Sequence, residues 1–372
     1  MKLAKIFNLL TFLVNLKPEP YKQGFEIFGI EIRFYAIIIL SGAIIATTYG
    51  YLRFAKKLNL SSDLVLEGLA FGLLFGIIGA RLYYVLFEHE GLNSFWDIIN
   101  PRSGGLAIHG AIFATAIYIP VYCKLKKIDT LVLVEIAVPL FMFAQVVGRW
   151  GNFMNQEAFG PLIDSIGGLT KENIQAASIG GNGTIGNPYI LSDEILLAQR
   201  TFMHKCLIPD FIVNQMYIED GWILLNGESI YVSGYYHPTF LYESMMNLAF
   251  VIFMLVGRKH IKKYYIGDSL GVYLIAYGFV RYIIESLRTD PLTIGNTNIR
   301  IAQVMSVLFV LLGLALLIIR RVLKYRLVPC HEMFYEDGHT MVLTDENKNA
   351  PKEENMITEE SNDKNKAEDE NV

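Results

Sequence analysis

The sequence predicts an all-α polytopic membrane protein of seven transmembrane helices, with a small extracytoplasmic cap containing a β-hairpin and a disordered acidic C-terminal tail. Three observations carry this expectation. Apolar residues make up 53% of the 372 and charged residues 18%, against roughly 45–50% and about 25% in soluble domains. The apolar excess is gathered into runs of about 20 residues, the length that crosses a bilayer as a helix. The polar residues are correspondingly concentrated between and beyond those runs.

Seven such runs occur, at about 31–52, 65–87, 105–123, 131–149, 239–257, 267–288 and 302–320. A shorter apolar segment at 6–16 cannot span, and residues 1–30 are expected to form an outer, interfacial arm. Lys2 and Lys5 precede that segment as in a signal peptide, yet no small-residue cleavage site follows. Residues 31–321 form the expected transmembrane domain, with a Gly- and Asn-rich insert at about 160–236. Within the insert, Asn226-Gly227 between two apolar runs favours a type I′ turn and a hairpin. Residues 322–372 begin with a basic juxtamembrane stretch. From Asp345 onward the chain carries ten acidic residues against four lysines and almost no large apolar side chain, a composition that cannot offset the entropy of ordering.

Short-loop charges orient the spans. Arg53, Lys56 and Lys57 follow the first, Lys124, Lys126 and Lys127 the third, Arg258, Lys259, Lys262 and Lys263 the fifth, and Arg320, Arg321, Lys324 and Arg326 the seventh. Positive charge collects on the cytoplasmic side, so the N-terminus is expected outside and the tail inside. Lys2, Lys5, Lys17 and Lys22 on the outer arm run against this rule. The net charge of −4 resides in the tail and leaves no strongly basic domain, so no nucleic-acid partner is called for. Cys123, Cys206 and Cys330 lack C-x-x-C spacing, and indicate neither a zinc site nor a disulfide framework. No cofactor or metal is expected.

Charged side chains at bilayer depth are costly and mark sites. Arg81, His109, Arg149, Glu157, His237, Glu243, Arg281, Glu285 and Arg288 lie within or at the ends of the spans, which points to a buried polar chamber. Arg281 and Glu285 are four apart and share a helical face. Arg288 stands two turns beyond Arg281 on the same stripe. Permanently charged, planar arginine donors suit a phosphate diester, although a structural ion pair explains Arg281 and Glu285 equally well. The run Gly148-Arg149-Trp150-Gly151-Asn152-Phe153-Met154-Asn155-Gln156-Glu157-Ala158-Phe159-Gly160 is the densest polar cluster in this apolar half. Its plainer reading, a helix end capped by Asn and Gly, leaves Arg149 without a reason. His109, as an imidazole, suits a general base, whereas a lone histidine in an apolar helix more commonly serves packing.

The run from Gly148 to Gly160 resembles the signature of the prolipoprotein diacylglyceryl transferase family, G-R-x-G-N-F-x-N-x-E-x-x-G, at every fixed position. Similar matches are Gly104 to Gly110, His237 to Glu243 and Tyr277 to Glu285, with weaker ones at Arg33-Phe34-Tyr35 and Gly79 to Phe87. The resemblance covers about residues 30–321. It departs at His109-Gly110-Ala111, where the family has His-Gly-Gly, and at Tyr35-Ala36, where it has Tyr-Gly. The resemblance implies a seven-span bacterial cell-membrane enzyme that takes phosphatidylglycerol as donor and a lipobox cysteine of a prolipoprotein signal peptide as acceptor. Arg149 and Arg281 would engage the phospholipid head group, with Asn152, Glu157, Glu285 and Arg288 shaping that site. His109 and Tyr35 would stand at the reacting centre, either of them handling the thiol proton. An anionic-solute transporter would also line a cavity with Arg, Glu and His, but no helix interruptions recur in two halves of this chain. A head-group transferase dependent on Mg²⁺ would require carboxylate clusters that the spans lack.

Overall fold

The computed structural model describes residues 16–28, 30–58, 60–87, 105–225, 227–288 and 300–335. The expected interfacial segment at 6–16 lies almost wholly outside these, and the acidic tail entirely so. The elements in order are β1 (Gly24–Ile27), β2 (Ile30–Arg33), α1 (Phe34–Gly50, extended by a π turn over Tyr51–Ala55), α2 (Ser62–Phe87), α3 (Ile108–Lys126) and α4 (Thr130–Asn155). The insert follows as α5 (Lys171–Ala177), β3 (Ser178–Gly180), β4 (Tyr189–Leu191), α6 (Asp193–Lys205), α7 (Asp210–Gln215), β5 (Tyr217–Ile218), β6 (Trp222–Leu225) and β7 (Glu228–Tyr235). The chain then returns to long helices, α8 (Thr239–His260), α9 (Asp268–Leu287) and α10 (Ile301–Val322), and ends in the short α11 (Cys330–Tyr335).

Six helices among the described residues are long and apolar enough to cross a membrane: Phe34–Ala55, Ser62–Phe87, Thr130–Asn155, Thr239–His260, Asp268–Leu287 and Ile301–Val322. The seventh expected span, 105–123, forms α3 but is not among these six. It carries His109 near its start, Pro120 inside it, and Lys124 and Lys126 in its last turn. The six expose Leu40, Ile44, Leu73, Phe253, Leu311 and Ile318 outward. In water such surfaces would aggregate; in lipid they are the required solvent contact.

The chain forms two compact units, Met1–Gly50 with Ala137–His331, and Tyr51–Ile136 with Glu332–Val372. In the second unit, α2 and α3 pack through glycines. A Cβ on Gly110 would fall 2.1 Å from the Gly79 carbonyl oxygen, so helix backbones approach where no side chain intervenes. Tyr118 and Tyr122 lie over the Gly68 end of α2, their hydroxyls donating to the carbonyls of Gly68 at 3.0 Å and Leu64 at 2.6 Å.

In the first unit, α9 and α10 meet in the same way, a Cβ on Gly313 falling 2.6 Å from the Gly271 carbonyl oxygen. Asp268 at the start of α9 is buried and accepts from Arg320 at 2.9 Å and Arg321 at 2.7 Å. Met142 and Val146 of α4 pack with Val251 and Met254 of α8 and Ala276 of α9. Gln145 of α4 donates to the Tyr273 hydroxyl of α9 at 3.1 Å.

The insert is a folded layer larger than the expected hairpin. Its five strands run in the order β3-β4-β7-β5, with β6 also on β7. The β6–β7 hairpin is present, Trp222 opposite Tyr231 and Leu225 opposite Glu228. Gly227 takes φ 86°, a backbone state open to glycine, while Asn226 of the expected turn lies outside the described residues. The parallel pairing of β4 with β7 brings α6 across the sheet. Leu162, Ile174, Leu191, Leu196, Val213 and Val232 form one core together with Leu16, Phe153 of α4 and Phe240 of α8.

A bulkier residue at the α9–α10 crossing cannot be housed without separating the helices. Gly313→Leu is expected to destabilise the protein by about 1–3 kcal/mol through overpacking, seen as a lower Tm in detergent. Substituting lipid-facing Leu312 by Met should leave Tm nearly unchanged.

Candidate active site

Helix α4 does not stop where its apolar run stops. It continues as helix through Gly148, Arg149, Trp150, Gly151 and Asn152 to Asn155, so Arg149 projects from a regular helix rather than a loop. Gly151 makes room for Tyr35 of α1: a Cβ there would lie 2.5 Å from the tyrosine ring. The helix ends in a tight reversal. Gln156 and Ala158 both adopt φ 53°, the Glu157 amide donates to the Asn152 carbonyl at 3.0 Å and the Gln156 amide to that of Phe153 at 3.3 Å. These bonds satisfy carbonyls that a helix terminus otherwise leaves unpaired.

This reversal is tied down from three directions. The Gly160 amide donates to the His237 carbonyl at 2.8 Å and the His237 amide to that of Pro161 at 3.0 Å, while the Thr239 hydroxyl donates to the Ala158 carbonyl. A Cβ on Gly160 would meet Thr239 at 2.8 Å. Buried Gln215 of α7 donates to the carbonyls of Phe153 at 3.0 Å and Met154 at 3.3 Å, and accepts from the Tyr21 amide at 2.8 Å. Gln156 reaches back to the carbonyls of Gln215 at 2.8 Å and Tyr217 at 3.1 Å. The insert and the N-terminal arm therefore hold the end of α4 by backbone and amide bonds.

Charge collects at this end. Arg149 pairs with Glu243 of α8 at 2.6 Å, the arginine side chain 25% exposed and the glutamate 4%. Glu243 also lies within the electrostatic reach of Arg281 and Arg288. Arg281 pairs with Glu285 one turn along α9 at 2.8 Å, and Arg300 donates to the Glu285 backbone carbonyl. Arg149 thus stands against the buried carboxylate of Glu243 and Arg281 against that of Glu285, with Arg288 within reach of Glu243 and Arg300 on the Glu285 backbone. The Arg149 guanidinium is partly solvent-accessible. Such an arrangement binds an anion with several acceptor oxygens.

The remaining expected residues are placed as follows. Asn152 is half-buried on the last turns of α4, and Glu157 is exposed just beyond, accepting from the Asn155 side chain at 3.2 Å. Tyr35 is brought to α4 at Gly151. His109 belongs to the other compact unit, on the first turn of α3, where its imidazole is exposed and 5.8 Å from the Tyr83 ring. Arg81, buried on α2, donates to the Gly105 carbonyl at 2.7 Å and so orders the turn that launches α3.

The family model for prolipoprotein diacylglyceryl transferase matches residues 22–319. This chain belongs to that family. It is 40% identical over 296 residues to phosphatidylglycerol–prolipoprotein diacylglyceryl transferase 1 of Clostridium perfringens (strain 13 / Type A), covering 80% of this chain and 93% of that one. It is 37% identical over 298 residues to the enzyme of the corresponding name from Clostridium novyi (strain NT), covering 79% and 94%. To that from Bacillus cytotoxicus it is 35% identical over 311 residues, covering 83% and 95%.

Glu243 was not among the site residues expected from the sequence. Its signal was present: a carboxylate on the first turns of an apolar helix, in the run His237 to Glu243 that resembles the diacylglyceryl transferases. Nothing in the sequence alone pairs it with Arg149. Truncating either partner leaves the other charge in an apolar layer, so the two are coupled. A double-mutant cycle of Arg149→Ala and Glu243→Ala on thermal unfolding is expected to give a coupling of ~0.5–3 kcal/mol.

His237, on the turn before α8, is largely buried, and its Nδ1 lies 3.1 Å from the Tyr242 hydroxyl. Burial lowers its pKa from the ordinary 6.5, because the charged imidazolium loses water. A folded-state pKa below the unfolded one means that folding is favoured with the ring neutral. That stability is fully present above pH 6.5 and is lost as pH falls toward the folded value. The Tm of the parent is expected to drop over this range more steeply than that of His237→Gln, measured against pH in one detergent.

Proposed function

We propose that this chain transfers the diacylglyceryl group of phosphatidylglycerol to the lipobox cysteine thiol of a prolipoprotein, the first step of bacterial lipoprotein maturation. The ion pair of Arg149 with Glu243, with Arg281 and Arg288 within its electrostatic reach, carries this reading. Partly exposed arginines held by buried carboxylates offer planar, permanently charged donors that suit a lipid phosphodiester. The names of the relatives supply the two substrates.

The thiolate is the nucleophile, and a free thiol with pKa near ~8.5 is mostly protonated at neutrality. His109 accepts the thiol proton, with Tyr35 beside the reacting centre. The sulfur attacks the glyceryl carbon that bears the phosphate ester. A carbon–sulfur bond forms, the carbon–oxygen bond breaks, and its electron pair leaves on glycerol phosphate. The phosphate passes from a diester monoanion to a monoester that gains charge. Arg149 and Arg281 stabilise that gain, which is worth most where water is excluded. Asn152, Glu157, Glu285 and Arg288 orient the arginines and the head group.

The topology proposed with this activity has seven spans, α3 being the third, in the bacterial cytoplasmic membrane. The basic loops lie inside, and the N-terminus, the insert and the site lie outside. Outer placement matches a substrate presented by an exported signal peptide.

The deciding experiment uses purified protein, phosphatidylglycerol and a synthetic lipobox peptide, followed by peptide mass and released glycerol phosphate. The parent is expected to add a diacylglyceryl mass that requires the cysteine. Arg149→Ala is expected to lose about 10²–10³ in rate, the cost of removing one preorganised anion donor. No mass gain from folded parent protein would overturn the reading.

A further inference from the structure

The two-stranded hairpin β1–β2 has an apolar side that is only partly covered by the described residues. Its register sets Phe25 opposite Ile32 and Ile27 opposite Ile30, while Glu26 faces Glu31 and Gly24 faces Arg33. One face is therefore apolar, and the other carries two glutamates with Arg33 paired to Glu31 at 3.2 Å. Phe25 is 41% exposed, Ile27 43% and the tip residue Phe28 101%. An isolated hairpin of this size is marginal in water, and an apolar face left partly exposed makes it more so.

Phe28 sharpens the point. Its φ of 51° lies in the left-handed region, where hairpin turns ordinarily carry Asn, Asp or Gly. Among the described residues, the fully exposed Phe28 side chain shows no ring contact to offset the backbone cost. Its chemistry is directed outward.

The surroundings identify what it meets. The Phe34 amide donates to the Gln23 carbonyl at 2.8 Å, and the Phe25 ring lies 5.6 Å from that of Phe34. Both contacts fasten the hairpin to the first residue of the membrane-crossing segment Phe34–Ala55. That span itself exposes Leu40 and Ile44 further along the helix. Lys22, exposed just before the hairpin, suits anionic head groups. Aromatic and aliphatic side chains beside such a cation are the composition of an interfacial segment.

We propose that β1–β2 is a lipid-contacting anchor, with Phe25, Ile27 and Phe28 seated at the boundary between head groups and acyl chains, and Glu26 and Glu31 facing water. Through Tyr21 and Gln23, which bond to Gln215 and to the Asn155 carbonyl, the anchor fixes the depth of the α4 terminus relative to the head groups. This holds whether or not the proposed transfer is correct.

The test places an environment-sensitive fluorophore on single cysteines in the full chain carrying Cys206→Ser, since Cys123 and Cys330 are buried, reconstituted in phospholipid nanodiscs. At Phe28→Cys the emission is expected to shift to shorter wavelength, to be quenched by lipids spin-labelled near the head group, and to resist aqueous iodide. Ile27→Cys should behave likewise and serves if the tip variant misfolds. Glu26→Cys should show the reverse pattern. Iodide quenching at positions 27 and 28 equal to that at 26, without effect of the lipid quencher, would overturn the proposal. Protection from both quenchers would also overturn it, in favour of a protein partner or a second copy.

Discussion

The Arg149–Glu243 ion pair is the constraint around which the first unit is arranged. A carboxylate 4% exposed in an apolar layer cannot remain charged without a cation at contact distance. Arg149 meets that need only because α4 stays helical through two glycines after its apolar run ends. Glu243 is presented in turn because α8 starts directly after Pro238, on a turn locked to Gly160 and Pro161. The tie between the signature reversal and the α8 turn therefore sets the distance between the two charges. Arg281 and Arg288 extend the same field from α9, and Glu285 keeps Arg281 from repelling its neighbours at full strength.

Glycine acts here by admitting contact rather than by loosening the chain. Gly151 admits the Tyr35 ring against α4, and Gly110 admits the Gly79 backbone beside His109. In each case a residue expected to serve the chemistry sits on, or one position from, a place where a Cβ would collide. The departures at Ala36 and Ala111 fall on neighbours of these positions, not on the glycines that make the contact.

The long apolar runs and the motif from Gly148 to Gly160 were legible in the sequence because both are local: span length and residue spacing suffice to see them. Arg281 with Glu285 was legible for the same reason, being one helical turn apart. The insert was underestimated because its sheet is held by a parallel pairing of β4 with β7, distant in sequence, and because the strands beside β7 have only two to four residues. Hairpin β1–β2 went unread because its turn carries Phe28 in place of the usual Asn or Asp. Glu243 stood in view as one of many charges at span ends; its partner comes from another helix. Span three illustrates the opposite limit, since α3 forms where the apolar run predicted it, yet it is not among the six described helices long and apolar enough to cross a membrane.

The proposed transfer bears on why a chain would maintain so costly a pair of buried carboxylates. A lipid phosphodiester carries one negative charge, and departure of glycerol phosphate adds to it. In that proposal Arg149 and Arg281 meet the phosphate, and donors held in place before the reaction are felt most where the new charge appears, so they lower the barrier more than they tighten ground-state binding. Glu243 and Glu285 hold Arg149 and Arg281 in place from buried positions, at the cost of part of their field. A carboxylate suits that task better than a neutral amide, which would hydrogen-bond Arg149 without balancing its charge.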